Sequence, residues 1–572
     1  MVGPLLDHCF CTLAFETQAA TTAGLEYWHK KAPWLLLQCR RPGERRSDCE
    51  MSVKKTNVIL FRAALYMVVL VGFALRILSL AHRSLWFDES MEFWVATSPL
   101  LSLLPNVRIA LQDPPLYSLL LHFWMVGGHQ EFWLRFLSLM LSMLGVLGVI
   151  KLARLTSGRF GSLAAGLLTA VSVPDIRFAQ EVGQYALMIA VLSWHLVFWI
   201  RFIRTGKWQS ALLYGISGAV ALYSYYGTAI TIVVSGLLAV MVVWFSPKRS
   251  ALLWIGVIGV LCVGLVSPLV LKWLPEQLLK GPTTNALQVR WAPLPDEGHR
   301  FLVQTKQLVG YQLTGVFPGR WPWQSLPEWV VWVPVLALCL ASLGEPTQRL
   351  LAAALLFGIL LSYVLGRLGV YPYGTRYSLV LAPLFWTVVG GGIATLARLY
   401  PLGYVPLVLI VSLSLVSPLE PQEDLRSAAD FWKSNSQPAD VTYVYYGAVP
   451  GFRYQLELAD GGGPLPPLWY HQCWGGEATD SCVSDDIFYG SWIRNSSVDE
   501  KKQSIMGSIG GSPDRLWLVF SHIHQDEDDA IVSVLSDDYR ALLDFQAENA
   551  RAILLVHNTQ PSAPWLSPPH PR

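Results

Sequence analysis

A polytopic α-helical membrane protein with about eleven transmembrane helices and a small C-terminal α/β domain is the fold class that this sequence predicts. Three observations predict it. Hydrophobic residues make up 53% of the 572 and charged residues only 14%, with a mean hydropathy of +0.40, too apolar for a string of soluble domains. Apolar runs of bilayer-spanning length recur as far as about Pro418 and then stop. Lys and Arg cluster between alternate runs, as the positive-inside rule expects, and a net charge of +2 gives no field favouring nucleic acid.

Residues 1–50 match nothing that follows. They carry Cys9, Cys11, Cys39 and Cys49, a basic segment from Arg40 to Arg46, and no sustained periodicity. The expectation is a disordered N-terminal extension, with Met51 as the more natural start. The membrane region then covers 51–419. Candidate spans lie near 58–80, 133–153, 160–176, 185–203, 210–226, 228–246, 251–272, 328–344, 349–366, 377–397 and 401–418.

With the N-terminus cytoplasmic, the inner loops hold Lys151, Arg154 and Arg159, then Arg201, Arg204 and Lys207, then Lys248 and Arg249, then Arg349 and Arg398. That orientation places the first loop (81–132), the segment 175–184, the long 273–327 loop, the 367–376 loop and the C-terminal domain together on the extracytoplasmic side. The run Leu116 to Val126 is shorter and more polar than the spans, and reads as an interfacial helix; counting it as a span would invert every later loop.

From 420 to 572 the composition changes to that of a small α/β domain, with a disordered tail from about residue 558. Val441 to Tyr446, Leu516 to Phe520 and Ala552 to Val556 are strand-like, and Gln422 to Ser434 is helix-like. Cys473 and Cys482 flank a short Gly-containing segment, and a disulfide there fits an oxidising compartment. His522, His524 and Asp526 follow a strand-like run and read as a solvated loop in preference to a metal set.

The chemistry concentrates in the first loop, where Asp88 and Glu89 stand side by side close to a membrane surface. Charge so placed is costly unless it has a task. One carboxylate suffices as general base for an acceptor hydroxyl or amine, and on an extended segment the two side chains point opposite ways. Asp88 is therefore assigned as the base, with Glu89 supporting it or orienting the acceptor. The competing reading makes the pair a cap for a helix starting at Ser90. Asp113 precedes Pro114-Pro115-Leu116-Tyr117, which stiffens the chain, and Glu131 to Arg135 leads into the next span. Arg177, Glu181 and Tyr185 sit at a span entrance, where Glu181 and Tyr185 would be neighbours on a helix. Arg376 and Tyr377 stand at the outer mouth of a late span, where a guanidinium can grip phosphate oxygens bidentately; the bland alternative is an arginine snorkelling to the interface.

This order of motifs resembles the polytopic GT-C glycosyltransferases over roughly Asn57 to Pro418, in particular bacterial family 39 relatives of the dolichyl-phosphate-mannose protein mannosyltransferases and of the aminoarabinose lipid A transferases. The resemblance implies a GT-C-like fold in a bacterial plasma (inner) membrane and inverting transfer on the extracytoplasmic side. It implies a polyprenyl-phosphate sugar as donor, a lipid, glycan or protein as acceptor, Asp88 as base and Arg376 among the donor-phosphate contacts. Asp113, Tyr117, Arg135, Arg177, Glu181, Tyr185 and Tyr377 complete the candidate substrate-binding set. Asp113 departs from the pattern, since many relatives carry His or Lys before the Pro-Pro pair.

No cofactor is expected. No Asp-x-Asp motif stands in the membrane region 51–419 to require a divalent metal, and the sequence leaves metal dependence open. A transporter or flippase of lipid-linked glycans is the competing class, and a whole-glycan ligase a third. Transporters place charges mid-span and break their helices in pairs, whereas here the ionisable residues cluster at span ends.

Overall fold

The structure is a computed structural model that describes residues 46–78, 80–111, 113–275, 300–315, 328–372, 375–416, 423–459, 483–484, 486–490, 496–523 and 526–559. It divides into two compact units, Met1–Tyr66 and Met67–Arg572. The described part of the first is the opening of helix α1 (Arg46–Ile77), which starts upstream of the boundary expected at residue 50. Apart from the course of α1 itself, everything below concerns the second unit.

Helices α2 (Phe87–Ala96), α3 (Leu100–Asn106) and α4 (Leu116–Trp124) fold the first loop. The helical body follows as α5 (Glu131–Val171), α6 (Val173–Ala179), α7 (Gln184–Thr205), α8 (Trp208–Ser224), α9 (Thr228–Trp244), α10 (Ala251–Pro268), α11 (Arg300–Thr314), α12 (Glu328–Ser342), α13 (Pro346–Arg367), α14 (Ala382–Leu399) and α15 (Val405–Val416). Among the described residues, 6 helices are long and apolar enough to cross a membrane: Lys55–Ile77, Glu131–Val171, Gln184–Thr205, Ala251–Trp273, Pro346–Arg367 and Arg376–Leu399. The other candidate spans also fall on helices, but shorter ones, among them Thr228–Trp244 and Leu402–Leu415.

Three details differ from the sequence reading. The runs at 133–153 and 160–176 begin two separate helical segments, as expected, but these meet inside α5 at a kink at Gly158 with no extended loop between them; the φ of +77° there is open to glycine at little cost. Arg398 Nη2 donates to the Ser157 carbonyl at that break at 3.0 Å. Secondly, the 273–327 segment contains α11, docked through Gln312 Nε2 donating to Ser378 Oγ at 3.1 Å. Thirdly, a histidine lies mid-span. His195 is 1% exposed, with Nδ1 3.0 Å from Ser217 Oγ and Nε2 3.2 Å from Ser235 Oγ, a buried polar group with both nitrogens satisfied.

The C-terminal region is a mixed sheet between helices. It comprises α16 (Leu425–Asn435), β1 (Val441–Val444), α17 (Val449–Ala459), β2 (Val483–Ser484), β3 (Ile487–Tyr489), α18 (Val498–Ile509), β4 (Arg515–Ser521), α19 (Glu527–Leu535), β5 (Tyr539–Ala547) and β6 (Ala550–His557). The strand order is β2-β3-β1-β4-β6-β5, with β1 parallel to β3 and β4 and the remaining pairs antiparallel.

Strand periodicity builds the two faces. Trp517 and Val519 join Leu425, Ala428 and Phe452 in one core, while Leu516, Leu518 and Phe520 join Ile505, Ile531 and Leu535 in the other. Burial on both faces explains why β4 reads as a continuous apolar run. Strand β5 has no counterpart among the strand-like runs of the sequence reading; it lies at the sheet edge, and past Tyr539 none of its residues is fully buried.

Candidate active site

Helix α2 organises the site. Its first helical residue is Phe87, so Asp88 and Glu89 occupy consecutive positions in the first turn and do not alternate across an extended strand; nor does the helix wait until Ser90. Carboxylates there are favoured by the helix dipole. Their surroundings then separate them completely.

Glu89 is 0% exposed and Arg135 1%, with Nη2 2.6 Å from Glu89 Oε2 and Nε 2.8 Å from Oε1. Glu89 also accepts from the Val182 N–H at 2.8 Å and the Trp86 N–H at 3.3 Å. Arg135 further donates to the carbonyls of Leu80, Arg83 and Ser84. Arg135 therefore ties down the first loop and is not on a substrate-binding surface, and Glu89 is enclosed where no acceptor reaches it. Tyr117 is likewise buried, 1% exposed, with its hydroxyl 2.8 Å from Ser138 Oγ in the core beneath α2 and α4.

Asp88 has the opposite surroundings. Its side chain is 51% exposed, and Arg376 Nη1 stands 3.6 Å from its Oδ2. The two residues, remote in sequence, thus meet. Arg376 belongs to the 3-10 turn Thr375–Leu381 that feeds α14, and its guanidinium lies 5.5 Å from the Tyr377 ring centre. The Tyr371 hydroxyl donates to the Tyr377 carbonyl at 3.1 Å. Tyr185 packs against Phe178 and Tyr225 at ring separations of 4.5 and 5.5 Å and lies within electrostatic reach of Arg376.

Glu181 does not pair with Tyr185, because α6 ends at Ala179 and α7 begins at Gln184, leaving Glu181 in the turn between them. It pairs instead with Arg177, whose Nε is 3.0 Å away, and burial raises its carboxyl above the ordinary range against the partial offset of Arg177. Asp113 accepts from Gln184 Nε2 at 3.0 Å.

Sequence reasoning missed Glu92, one helical turn beyond Asp88. It is 4% exposed and accepts from Ser118 Oγ at 2.5 Å; burial, with smaller additions from Asp113 and Asp88, pushes its carboxyl up to about 8. Its i, i+4 spacing from Asp88 was the available signal.

The C-terminal domain supplies a further group. Glu423 Oε2 accepts from the Phe87 N–H at 3.1 Å and from Ser521 Oγ at 3.0 Å, and Oε1 is 2.7 Å from His522 Nδ1. His522 is therefore held by a buried carboxylate and not simply solvated at a loop; His524 lies outside the described residues, as do Cys473 and Cys482. Ser84 Oγ donates to the Glu423 carbonyl at 2.7 Å, Arg426 pairs with Glu131, and Trp94 Nε1 donates to the Pro450 carbonyl at 2.8 Å. Among the described residues no group of three or more His, Cys, Asp or Glu is disposed to hold a metal ion.

Comparison with known proteins gives a family match over part of the chain. Residues 112–273 match the family model described as dolichyl-phosphate-mannose-protein mannosyltransferase, within the region that the motif order resembles. No curated protein sequence matches. Among solved structures, the chain is similar to the oligosaccharyltransferase of Archaeoglobus fulgidus in its apo form, at 10% identity and a TM-score of 0.46 over 85% of this chain and 73% of that one. The archaeal oligosaccharyltransferase AglB from the same organism, in complex with an inhibitory peptide and a dolichol-phosphate, gives 10% identity and a TM-score of 0.45 over 86% and 74%. ArnT from Cupriavidus metallidurans bound to undecaprenyl phosphate gives 15% identity and a TM-score of 0.35 over 87% and 97%.

Proposed function

We propose that this chain is a membrane glycosyltransferase that moves a sugar from a polyprenyl-phosphate carrier to an acceptor on the extracytoplasmic side, with Asp88 as general base. The observation that carries the reading is the half-exposed Asp88 carboxylate facing the Arg376 guanidinium at 3.6 Å, in a chain whose residues 112–273 match a sugar-phosphate-dependent transferase family.

The pairing suits an inverting displacement. The acceptor oxygen or nitrogen attacks the anomeric carbon as its proton passes to Asp88; the bond from that carbon to the phosphate oxygen breaks, and the oxygen leaves with the electron pair. Charge on the departing phosphate grows during this step, so a guanidinium beside it stabilises the transition state more than the ground state. Arg376 stands where it can do so. Tyr185 lies within electrostatic reach of Arg376, Tyr377, Asp113 and Asp88, and Glu181, paired with Arg177, within reach of Asp88, which supports a role for these residues around the same site. The Lys and Arg distribution supports the extracytoplasmic side, and the family resemblance supports a bacterial inner membrane.

Purified, detergent-solubilised protein given defined polyprenyl-phosphate sugars and candidate lipid, glycan and peptide acceptors should release polyprenyl phosphate in step with glycosylated product. Movement of an intact lipid-linked glycan across proteoliposomes, without release of the carrier, would instead identify a flippase.

A further inference from the structure

We propose that Glu423 and His522, from the C-terminal sheet domain, are positioning residues for Asp88: the domain caps the helix that carries the base.

The need for such a cap comes from the sequence. A helix leaves its first four N–H groups without intrahelical partners, and the residue before the first turn ordinarily supplies a side-chain oxygen. Here that residue is Trp86, which makes no such bond. The Phe87 N–H is met instead by Glu423 Oε2 at 3.1 Å. Glu423, 5% exposed, is itself fixed on both oxygens, by Ser521 Oγ and His522 Nδ1. His522 closes the arrangement from the other side, its ring stacked on that of Phe87 at 4.7 Å and 19°.

Its backbone is left-handed, with φ +56°, at the point where β4 ends. A non-glycine residue adopts that conformation at a cost, which the surrounding contacts must offset. Asp88 directly follows Phe87, so the pair sets the direction from which its carboxylate meets the acceptor. A misplacement of about 1 Å can lower turnover by about a hundredfold.

The inference rests on the transfer reading, and the test separates the two. Glu423→Ala, His522→Ala and His522→Asn are compared with wild type in turnover, apparent donor affinity and hydrogen exchange of the Phe87 to Ser90 amides. Asparagine tolerates the left-handed backbone and carries an amide donor that can serve for Nδ1. Both alanine variants should lose roughly 10- to 100-fold in kcat with donor KM little changed, and exchange faster at the start of α2; His522→Asn should recover most of both.

An asparagine variant as inactive as the alanine one, with normal exchange, would place His522 among the groups touching substrate and overturn the positioning role. Wild-type turnover in His522→Ala would overturn it too, and that variant decides if Glu423→Ala does not fold. Because exchange at Phe87 needs no activity, failure of the wild-type protein to transfer sugar counts against the transfer reading alone.

Discussion

Replacing Glu89 by alanine should damage the protein through its fold. The side chain is 0% exposed and forms a two-pronged ion pair with Arg135, itself 1% exposed, while also accepting from the Val182 and Trp86 N–H groups. Removing one partner of a buried pair costs about 3–5 kcal/mol, because the surviving charge stays buried without compensation. The orphaned N–H groups add roughly 1 kcal/mol or more each. Set against a typical total of about 5–15 kcal/mol, the variant keeps little margin.

Glu89→Gln preserves the volume and one acceptor oxygen and loses the charge-assisted part, roughly 1.5–3 kcal/mol. Thermal unfolding in detergent should therefore rank wild type above Glu89→Gln and Glu89→Ala last, and the fraction that remains folded should keep substantial turnover in the glutamine variant. A Glu89→Gln protein that melts like wild type but has lost turnover would refute this reasoning and move the base role to Glu89.

Asp88→Asn should fold normally and lose transfer, since the amide keeps the shape and cannot take the proton; turnover within about tenfold of wild type would remove Asp88 from that role. Arg376→Lys keeps the charge but loses the fork, so it should be impaired, with Arg376→Ala worse by a barrier increase of roughly 2–4 kcal/mol; free substitution by lysine would favour an arginine that only snorkels. Glu92 gives a pH prediction. Its carboxyl titrates at about 8 in the folded protein against an ordinary 4.5, so the folded state holds the proton longer than the unfolded chain. Stability should fall as pH rises from 4.5 to about 8 and level off above, by about 5 kcal/mol at most. Glu92→Gln should flatten that dependence and melt higher than wild type at pH 8, and an unchanged slope in the melting profile would count against it.

Part of this protein was legible in the chain because the signals are local. Apolar length gives the helices of the membrane region, and two-sided burial gives β1, β4 and β6 as continuous apolar runs. Asp88 and Arg376 stood out because a charge at the end of an apolar run is costly without a role. Whether a charged residue is exposed or enclosed is set by its partners, and these come from elsewhere in the chain. Glu89 and Asp88 are neighbours in sequence, yet Arg135 encloses one and leaves the other half-exposed. Tyr117 and Arg135 read as candidate substrate contacts and prove to be buried supports for the same reason. The cap on α2 was least legible of all: Glu423 reaches Phe87 across 336 residues, a distance over which no periodicity or spacing carries information and only the docking of the sheet domain onto the first loop brings the two together.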